Sequence, residues 1–385
     1  VLTHDGTDFD WAAASGGATL RPNAKPLIIN GDMAIAQRGT SFTSNGYTLD
    51  RWTMGEYSDG AVTVTQDTDV PSGYGFAKSL KVDVTTGDAS IAANQACYFT
   101  QYFEGQDLQL LKYGTASAEN LTLSFWVKSV KTGIYCIRFV KEAGSETRYE
   151  TPIEYTISSA STWEKKVINL SPTAGSTSLI TGAAGAIANS NAAGFRIMFT
   201  LAAGTDYHST NNTWVDGSNK HSTSNQVNFL DSTSNNFWLT GVQLEVGEYT
   251  SSTIPPFQHE SYGDNLARCQ RYFQTPVYPT DAQGAAEMYS VFGTGVYTGD
   301  TYVRFPRPLP VEMRVNPTLT SNSGTNYFFI SSGANDELDD LTIHPDSNLK
   351  TAYVYNNDEA SGTAGQGAIL MANDASAYLW LNAEL

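Results

Sequence analysis

The chain has 385 residues, of which 41% are hydrophobic, 12% aromatic and only 16% charged, whereas about 25% of the residues of an average soluble domain are charged. Acidic residues outnumber basic residues by 39 to 22, which gives a formal net charge of −17. This charge would repel a polyanion, so nucleic acid is excluded as an expected partner. No apolar run reaches the roughly 18 residues of a membrane-spanning helix, so no membrane insertion is expected.

Residues 1–25 contain only short groups of apolar residues and are rich in glycine. Such a piece cannot bury itself alone, so it is predicted to be the end of a stalk or an N-terminal arm. The chain opens at Val1 rather than at a methionine. We therefore expect an upstream segment, through which the protein would attach to other proteins of its assembly.

Alternation of apolar and polar residues recurs from residue 26 to residue 258 and predicts half-buried strands. In LTLSFWVKS (121–129) and FRIMFTLAA (195–203), one face carries only apolar residues: Leu121, Leu123, Phe125, Val127, Phe195, Ile197, Phe199 and Leu201. The alternation changes phase at Gly241, which predicts a β-bulge. Many strands separated by polar turns, without a βαβ pattern, predict an all-β antiparallel jelly-roll sandwich with long loops at 171–194 and 203–228.

A short helix is predicted at 259–275, where it would link the jelly roll to a second domain. Ser261 is the expected cap, and Asp264 follows three residues later. The residues with helical spacing on one face are expected to be buried between domains or subunits: Tyr262, Leu266, Cys269 and Phe273. Residues 276–385 return to short strand patterns and predict a second, small β domain.

The cysteines and acidic stretches bear on possible metal sites. Cys97, Cys136 and Cys269 form no CxxC pair and are not spaced from a histidine as metal ligands, so all three are predicted to be buried free thiols. Carboxylates at 67–69 (DTD) and 337–340 (ELDD) offer oxygen ligands without EF-hand spacing. No other cofactor is expected, and a structural calcium ion remains open.

No nucleophile elbow, zinc-protease motif or phosphate-binding loop occurs in the sequence, so we expect no enzymatic activity and name no catalytic residue. Aromatic residues among Asp, Asn and Gln are typical of surfaces that stack sugar rings. Tyr207 and Trp214 lie in such a segment (205–226), and Tyr353 lies close to Tyr355 and Asn356 in the second domain. The alternative for Trp214 is packing on the edge of the sandwich.

One stretch, PLIINGDMAIAQRGTSFTSNGYTLDRW (26–52), resembles the start of a domain found in phage tail-fibre and related virion proteins. The motifs NGD, AQRG and DRW carry this resemblance. Four later stretches continue it in order: LTLSFWVKSVKTGIYCIRF (121–139), FTLAAGTDYHSTNNTW (199–214), TGVQLEVG (240–247) and PFQHESYGDNLARCQRYFQ (256–274). The resemblance implies a carbohydrate-binding-module-like jelly roll in a homotrimeric virion appendage, exposed on the particle surface near the host-contacting tip.

Three functions follow from this resemblance and from the residues. The first is the distal part of a tail fibre that binds a host surface polysaccharide as its receptor. The second is a head fibre, horn, knob or capsid decoration without a receptor role, and the third is a glycan depolymerase. Within the resembling motifs, Arg38 and Arg51 are expected to pair with Asp32 and Asp50, and Trp52 is expected in the core.

Overall fold

The computed structural model describes residues 25–142, 148–217, 219–277, 290–324, 326–333 and 335–385, and the backbone of two short strands near the start of the chain. The strands are β1 Leu2–His4, β2 Phe9–Trp11, β3 Ser41–Phe42, β4 Gly46–Tyr47, β5 Thr53–Glu56, β6 Ala61–Asp67, β7 Ser79–Thr86, β8 Ala96–Glu104, β9 Leu121–Ser129, β10 Gly133–Lys141, β11 Tyr149–Ile157, β12 Glu164–Leu170, β13 Ala193–Ala203, β14 Val215–Asp216, β15 Asn236–Val246, β16 Phe273–Val277, β17 Val291–Tyr297, β18 Val303–Pro308, β19 Thr318–Ser321, β20 Phe328–Ser331, β21 Asn335–Leu338, β22 Thr342–Ile343, β23 Thr351–Asn356, β24 Gly367–Ala372 and β25 Leu379–Asn382.

Helical structure is limited to short pieces in the described residues. The α-helix is α1, Tyr262–Gln270. The 3-10 helices are Gly105–Leu111, Ala174–Ser176, Ala183–Gly185, Thr205–Tyr207 and Phe229–Asp231. The predicted all-β class is confirmed, and the strands pair antiparallel throughout the described sheets. Of the predicted N-terminal arm, the described residues include strands β1 and β2, which pair antiparallel, and Lys25.

Two sheets pack face to face between residues 28 and 246. One has the order β14-β11-β10-β13-β8-β5-β4, and the other has the order β12-β9-β15-β7-β6-β3. The predicted inward faces of β9 and β13 are fully buried between them. The jelly-roll sandwich therefore follows from the alternation in the sequence. Trp52 lies in this core as predicted, and its indole N–H donates to the Asn30 carbonyl at 3.0 Å.

The predicted bulge in β15 is confirmed at Gly241. The register with β9 shifts between Thr240 and Gln243, and Gly241 has a φ of +61°. A Cβ atom there would lie 2.5 Å from the Phe76 ring. Only glycine meets both demands, because it tolerates positive φ and leaves room for the ring.

Helix α1 is shorter than predicted, and a different face is buried. The Ser261 hydroxyl accepts the Asp264 backbone N–H at 3.2 Å, so the predicted cap is confirmed. Cys269 is buried as expected, but Tyr262 is exposed and Leu266 is only half-buried. Phe273 is buried as the first residue of β16 rather than on the helix.

The second domain has a core of its own between residues 277 and 383. A three-stranded sheet with the order β16-β25-β19 joins it to the helix. A seven-stranded sheet with the order β21-β20-β24-β17-β18-β23-β22 forms the rest. The last residues of the chain therefore lie beside the first strand after the helix, since Phe273 pairs with Asn382. All three cysteines are free and buried, as predicted.

Polar side chains of the 26–52 segment hold α1 and β16 against the jelly roll. The Asn265 amide oxygen accepts the Asn30 N–H at 3.2 Å, and its amide N–H₂ donates to Asp32 at 3.1 Å. The Gln37 amide donates to the Asp50 carboxylate at 2.5 Å and to the Phe273 carbonyl at 3.0 Å. Asp32 and Asp50 are therefore bound by amides, and the predicted pairing of these acids with Arg38 and Arg51 is wrong.

The two arginines instead share the carboxylate of Glu384. Arg38 contacts one oxygen at 3.1 Å and Arg51 contacts the other, and all three side chains are at most 6% exposed. Each guanidinium also lies over an aromatic ring, Arg38 at 3.4 Å from the Phe273 centroid and Arg51 at 3.5 Å from that of Tyr272. This buried triad joins the jelly roll, β16 and the end of β25.

Glu384→Gln should destabilise the protein strongly, because it leaves two buried guanidinium groups without a counter-charge. We expect a loss of roughly 3–5 kcal/mol in the free energy of unfolding, measured by denaturant titration. The matched control is Glu312→Gln, which removes an exposed carboxylate 3.6 Å from Lys350 and should cost less than about 1 kcal/mol. Equal losses in the two variants would contradict a structural role for the triad.

Candidate functional site

Trp214 lies in the core of the jelly roll and not on its surface. Its side chain is 1% exposed. Its indole N–H donates to the Ser171 carbonyl at 2.8 Å. No ring face is open to a sugar in this arrangement, so the structure corrects the predicted surface position and agrees with the packing alternative.

Tyr207 is half-buried and is engaged on one side. Its ring stacks on the His221 imidazole with centroids 4.3 Å apart and planes 5° from parallel. Its hydroxyl donates to the Asn94 carbonyl at 2.9 Å. One ring face and the hydroxyl are thus used within the protein, which leaves Tyr207 little capacity to orient a ligand.

The 203–228 loop carries Tyr207 and Trp214 and covers the outer face of the seven-stranded jelly-roll sheet. The Lys220 backbone N–H and the Thr223 hydroxyl each donate at 2.5 Å to a carboxylate of β11, Glu150 and Glu154 respectively. Glu150 also forms a buried ion pair with Arg138 of β10. Lys220 and Thr223 of the loop therefore bond acidic side chains of the sheet.

Tyr353 lies in a cluster on the outer face of the second domain. Strand β18 pairs with β23, so that Arg304 is opposite Tyr355 and Pro306 is opposite Tyr353. We call this cluster the C-terminal aromatic surface and define it as Tyr302, Arg304, His344, Asp346, Tyr353 and Tyr355. Its aromatic members are half-buried, and Asp346 is exposed.

Ring contacts fix the side chains of this surface. Tyr302 packs edge-on against Tyr355 with centroids 5.4 Å apart, and His344 packs edge-on against the same ring at 5.5 Å. The Arg304 guanidinium lies 4.9 Å from the Tyr302 centroid. Such tilted aromatic and cation–π contacts hold flat groups in place without consuming their hydrogen-bonding atoms.

The polar atoms of the surface are largely unused by the protein. In the part of the chain that the structure describes, the hydroxyl groups of Tyr302, Tyr353 and Tyr355 form no hydrogen bond with protein. His344 accepts the Asp346 backbone N–H at its Nδ1 atom, at 3.1 Å. The same Nδ1 atom lies 3.4 Å from the Asp346 carboxylate, and Nε2 has no hydrogen bond within the described residues. The surface thus combines aromatic faces with hydroxyl groups that can donate hydrogen bonds to a sugar.

Asn356 does not belong to this surface, although the sequence grouped it with Tyr353 and Tyr355. It is 2% exposed, and its side-chain oxygen accepts the backbone N–H groups of Asp358, Glu359 and Ala360 at 3.3, 3.0 and 3.1 Å. An amide oxygen that caps three successive N–H groups shapes the following turn. Asn356 is therefore a structural residue.

A second aromatic cluster lies on the outer face of the six-stranded sheet. Its polar groups are hydrogen-bonded within the protein. Trp163 donates to Asp69 at 3.0 Å and Trp238 donates to Asp67 at 3.1 Å. The Lys128 ammonium is paired with Asp69 and lies 4.2 Å from the Trp238 ring centroid. The carboxylates at 67–69, which the sequence offered as possible oxygen ligands, bind indole and ammonium groups in the structure.

The other acidic stretch contributes to a carboxylate cluster. Oxygens of Asp340, Asp358 and Glu359 lie within 4.8 Å of one another, and the three residues are exposed. Glu359 also accepts the Asp339 backbone N–H at 2.9 Å. Oxygen ligands of this kind suit Ca²⁺. The calcium site stays a prediction, and this cluster is the place where its ligands would come from.

Three carboxylates, Glu104, Asp107 and Glu245, line a cleft of about 530 Å³ between the jelly roll and α1. Burial raises the pKa of Asp107, and the nearby charge of Glu104 raises it further. Burial alone would raise the pKa of Glu104, but hydrogen bonds from Arg271 and Tyr272 hold it below its ordinary value. Because Arg271 bonds both Glu104 oxygens, at 2.7 and 2.8 Å, this carboxylate serves the joint between helix and jelly roll.

Tyr302, Arg304 and His344 were not singled out by the sequence. A signal existed, since Tyr302 and Arg304 are two residues apart, as are Tyr353 and Tyr355, and both pairs lie in strand patterns. That signal becomes a site only when β18 and β23 are known to be neighbours. The intervening 40 or so residues give no local indication of that pairing.

No protein-family model and no curated protein sequence matches the chain. Among solved structures, the enzymatically active domain of tailspike protein 4 from bacteriophage CBA120 matches with 16% identity and a TM-score of 0.32, over 57% of this chain and 21% of that one. A putative sugar-binding protein from Bacteroides thetaiotaomicron matches with 10% identity and a TM-score of 0.34, over 58% of this chain and 100% of that one.

A family 11 carbohydrate-binding module from Clostridium thermocellum, in complex with a mixed-linked tetrasaccharide, matches with 11% identity and a TM-score of 0.28, over 55% of this chain and 99% of that one. The chain thus spans about a fifth of the tailspike length. Among the described residues, no helix has the length and apolar character needed to cross a membrane.

His221 should make the jelly roll sensitive to mild acid. Burial and the nearby charges of Arg138 and Arg196 lower the pKa of His221 well below its ordinary value of 6.5. Between these two pKa values the unfolded chain binds a proton that the folded chain does not. Stability is therefore expected to fall as the pH drops below about 6.5, by at most ~1.4 kcal/mol per pH unit.

Denaturant unfolding between pH 7 and pH 5 measures this slope. His221→Gln should flatten it, because the titrating group is gone. His259→Gln removes an exposed imidazole and should keep the slope of the original protein. A slope that survives His221→Gln would assign the acid sensitivity to another group.

Proposed function

We propose that this chain is a structural virion protein of a bacteriophage, the distal part of a tail fibre, which binds a host surface glycan and catalyses no reaction. The observation that carries the proposal is the C-terminal aromatic surface, with its half-exposed rings and unused hydroxyl groups. The motifs of residues 26–52 and 240–274 support the virion assignment, because they resemble those of phage fibre proteins.

Binding would combine stacking with hydrogen bonds. A pyranose ring would pack on the tyrosine rings of β23, and its hydroxyl groups would bond to the tyrosine hydroxyls and to His344 Nε2. Such a shallow surface suits weak binding at each site. We propose that the chain acts as a homotrimer, in which three copies of the surface give useful avidity on a polysaccharide.

A purely structural role, as a head fibre, horn, knob or capsid decoration, is the alternative. It is favoured by the self-satisfied cluster at Trp163 and Trp238 and by the internal use of Tyr207 and Trp214. Labelled antibody on intact particles separates the two roles, because a receptor-binding tip lies at the far end of a fibre. A glycan depolymerase is the least favoured of the three roles, and Glu104 of the cleft is already bonded by Arg271 and Tyr272.

The test is binding of fluorescently labelled protein to host cells, with and without soluble host polysaccharide. Saturable binding that the polysaccharide removes is expected. The double variant Tyr353→Ala/Tyr355→Ala should weaken binding by at least roughly tenfold, which corresponds to ~1.4 kcal/mol.

Tyr57→Ala is the matched control, because Tyr57 is an exposed tyrosine of the jelly roll, and it should bind as the original protein does. Unfolding midpoints of all variants report whether folding is preserved. A folded protein that binds no host cell or host glycan would contradict the receptor role and favour a structural decoration.

A further inference from the structure

We infer that the C-terminal aromatic surface recognises an acidic sugar, and that Arg304 binds the acidic group. This inference rests on the proposed function and specifies its ligand. The ligand class is a polysaccharide with carboxylate or sulfate groups, as opposed to a neutral one. The argument depends on what each arginine of the second domain contacts.

Residues 290–385 contain three arginines. Two of them donate hydrogen bonds to backbone carbonyls of the protein. Arg307 donates to the Phe292 carbonyl. Arg314 donates to the carbonyls of Ala383 at 2.7 Å and Glu384 at 2.5 Å. Both guanidinium groups therefore hold backbone segments together.

Arg304 differs from these two. Its contact with an acid is with Asp346, whose carboxylate oxygen is 3.9 Å from a guanidinium nitrogen. That distance exceeds a hydrogen bond, so the pair is only a loose ion pair. The side chain of Arg304 is 36% exposed and that of Asp346 is 68% exposed. Since the guanidinium forms no hydrogen bond with the residues that the structure describes, it can bind a second anion without breaking one of them.

The position of Arg304 suits recognition of a sugar substituent. Its guanidinium is held against the Tyr302 ring, and its backbone is opposite Tyr355. A sugar stacked on the tyrosines would therefore place a ring substituent near this group. A guanidinium binds carboxylate or sulfate oxygens through two parallel N–H groups, which adds direction to the charge attraction.

The electrostatics of the chain make this recognition local. Acidic residues outnumber basic ones by eleven to four in residues 290–385, and the whole chain has a net charge of −17. A broad basic patch does not draw anionic polymers to this domain. The net negative charge opposes the approach of any polyanion, so an acidic glycan would be held only through direct contact between its acidic group and Arg304. Removing this guanidinium should therefore abolish the preference for acidic polymers.

The experiment measures binding of the full chain to a panel of purified bacterial capsular and lipopolysaccharide glycans. Each uronate-containing glycan is tested before and after chemical reduction of its carboxyl groups, and each sulfated glycan before and after desulfation. The variants are Arg304→Gln, Arg304→Lys and, as the matched control, Lys350→Gln. Lys350 is an exposed cation of the same domain, loosely paired at 3.6 Å.

We expect the original protein and Lys350→Gln to bind an acidic glycan at least roughly tenfold more tightly than its neutral counterpart. Arg304→Gln should bind both forms equally. Arg304→Lys should retain part of the difference in affinity, because it keeps the positive charge but lacks the two parallel N–H donors of the guanidinium. Weaker binding after reduction of the carboxyl groups identifies a uronate as the ligand. Weaker binding after desulfation identifies a sulfate ester.

Three outcomes overturn the inference. If the original protein binds acidic and neutral forms equally, or if Arg304→Gln keeps the preference, the ligand is not recognised through Arg304, and the proposed glycan binding still stands. If the folded protein binds no glycan of the panel and no host cell, both the inference and the proposed receptor function are wrong.

Discussion

The arrangement of the two domains depends on the buried ion pairs that the Glu384 carboxylate forms with Arg38 and Arg51. Charges removed from water must be paired, and here one anion faces two cations that are further held by the rings of Tyr272 and Phe273. The triad joins residues that are more than 330 positions apart. It therefore ties the end of the chain to the opening segment of the jelly roll.

The motif at 26–52 acquires a physical meaning from this joint. Asn30 and Gln37 form hydrogen bonds that reach α1 and β16, and Asp50 accepts from Gln37. Arg38 and Arg51 complete the contact. The residues that carry the resemblance to phage fibre proteins are thus the residues that fix the second domain on the first. They position the C-terminal aromatic surface but do not take part in it.

The tryptophans of the jelly roll and the tyrosines of the C-terminal aromatic surface differ in their hydrogen bonding. The indoles of Trp163 and Trp238 donate to carboxylates, and Trp214 is enclosed by the core. Tyr353 and Tyr355 keep their hydroxyl groups unengaged within the described residues. An aromatic group whose polar atom is already bonded mainly stabilises the fold, whereas one with an unused donor can orient a ligand.

The sequence by itself determined the features that depend on neighbouring residues. Alternation in β9 and β13, the bulge at Gly241 and the Ser261 cap were all predictable, because side-chain direction and backbone conformation follow from local spacing. The partner of Arg38 and Arg51, the burial of Trp214 and the start of β16 at Phe273 were decided only by the tertiary structure. Each depends on a segment distant in sequence, β25 in the case of Phe273. The C-terminal aromatic surface exists for the same reason, because pairing of β18 with β23 brings Arg304 beside Tyr355.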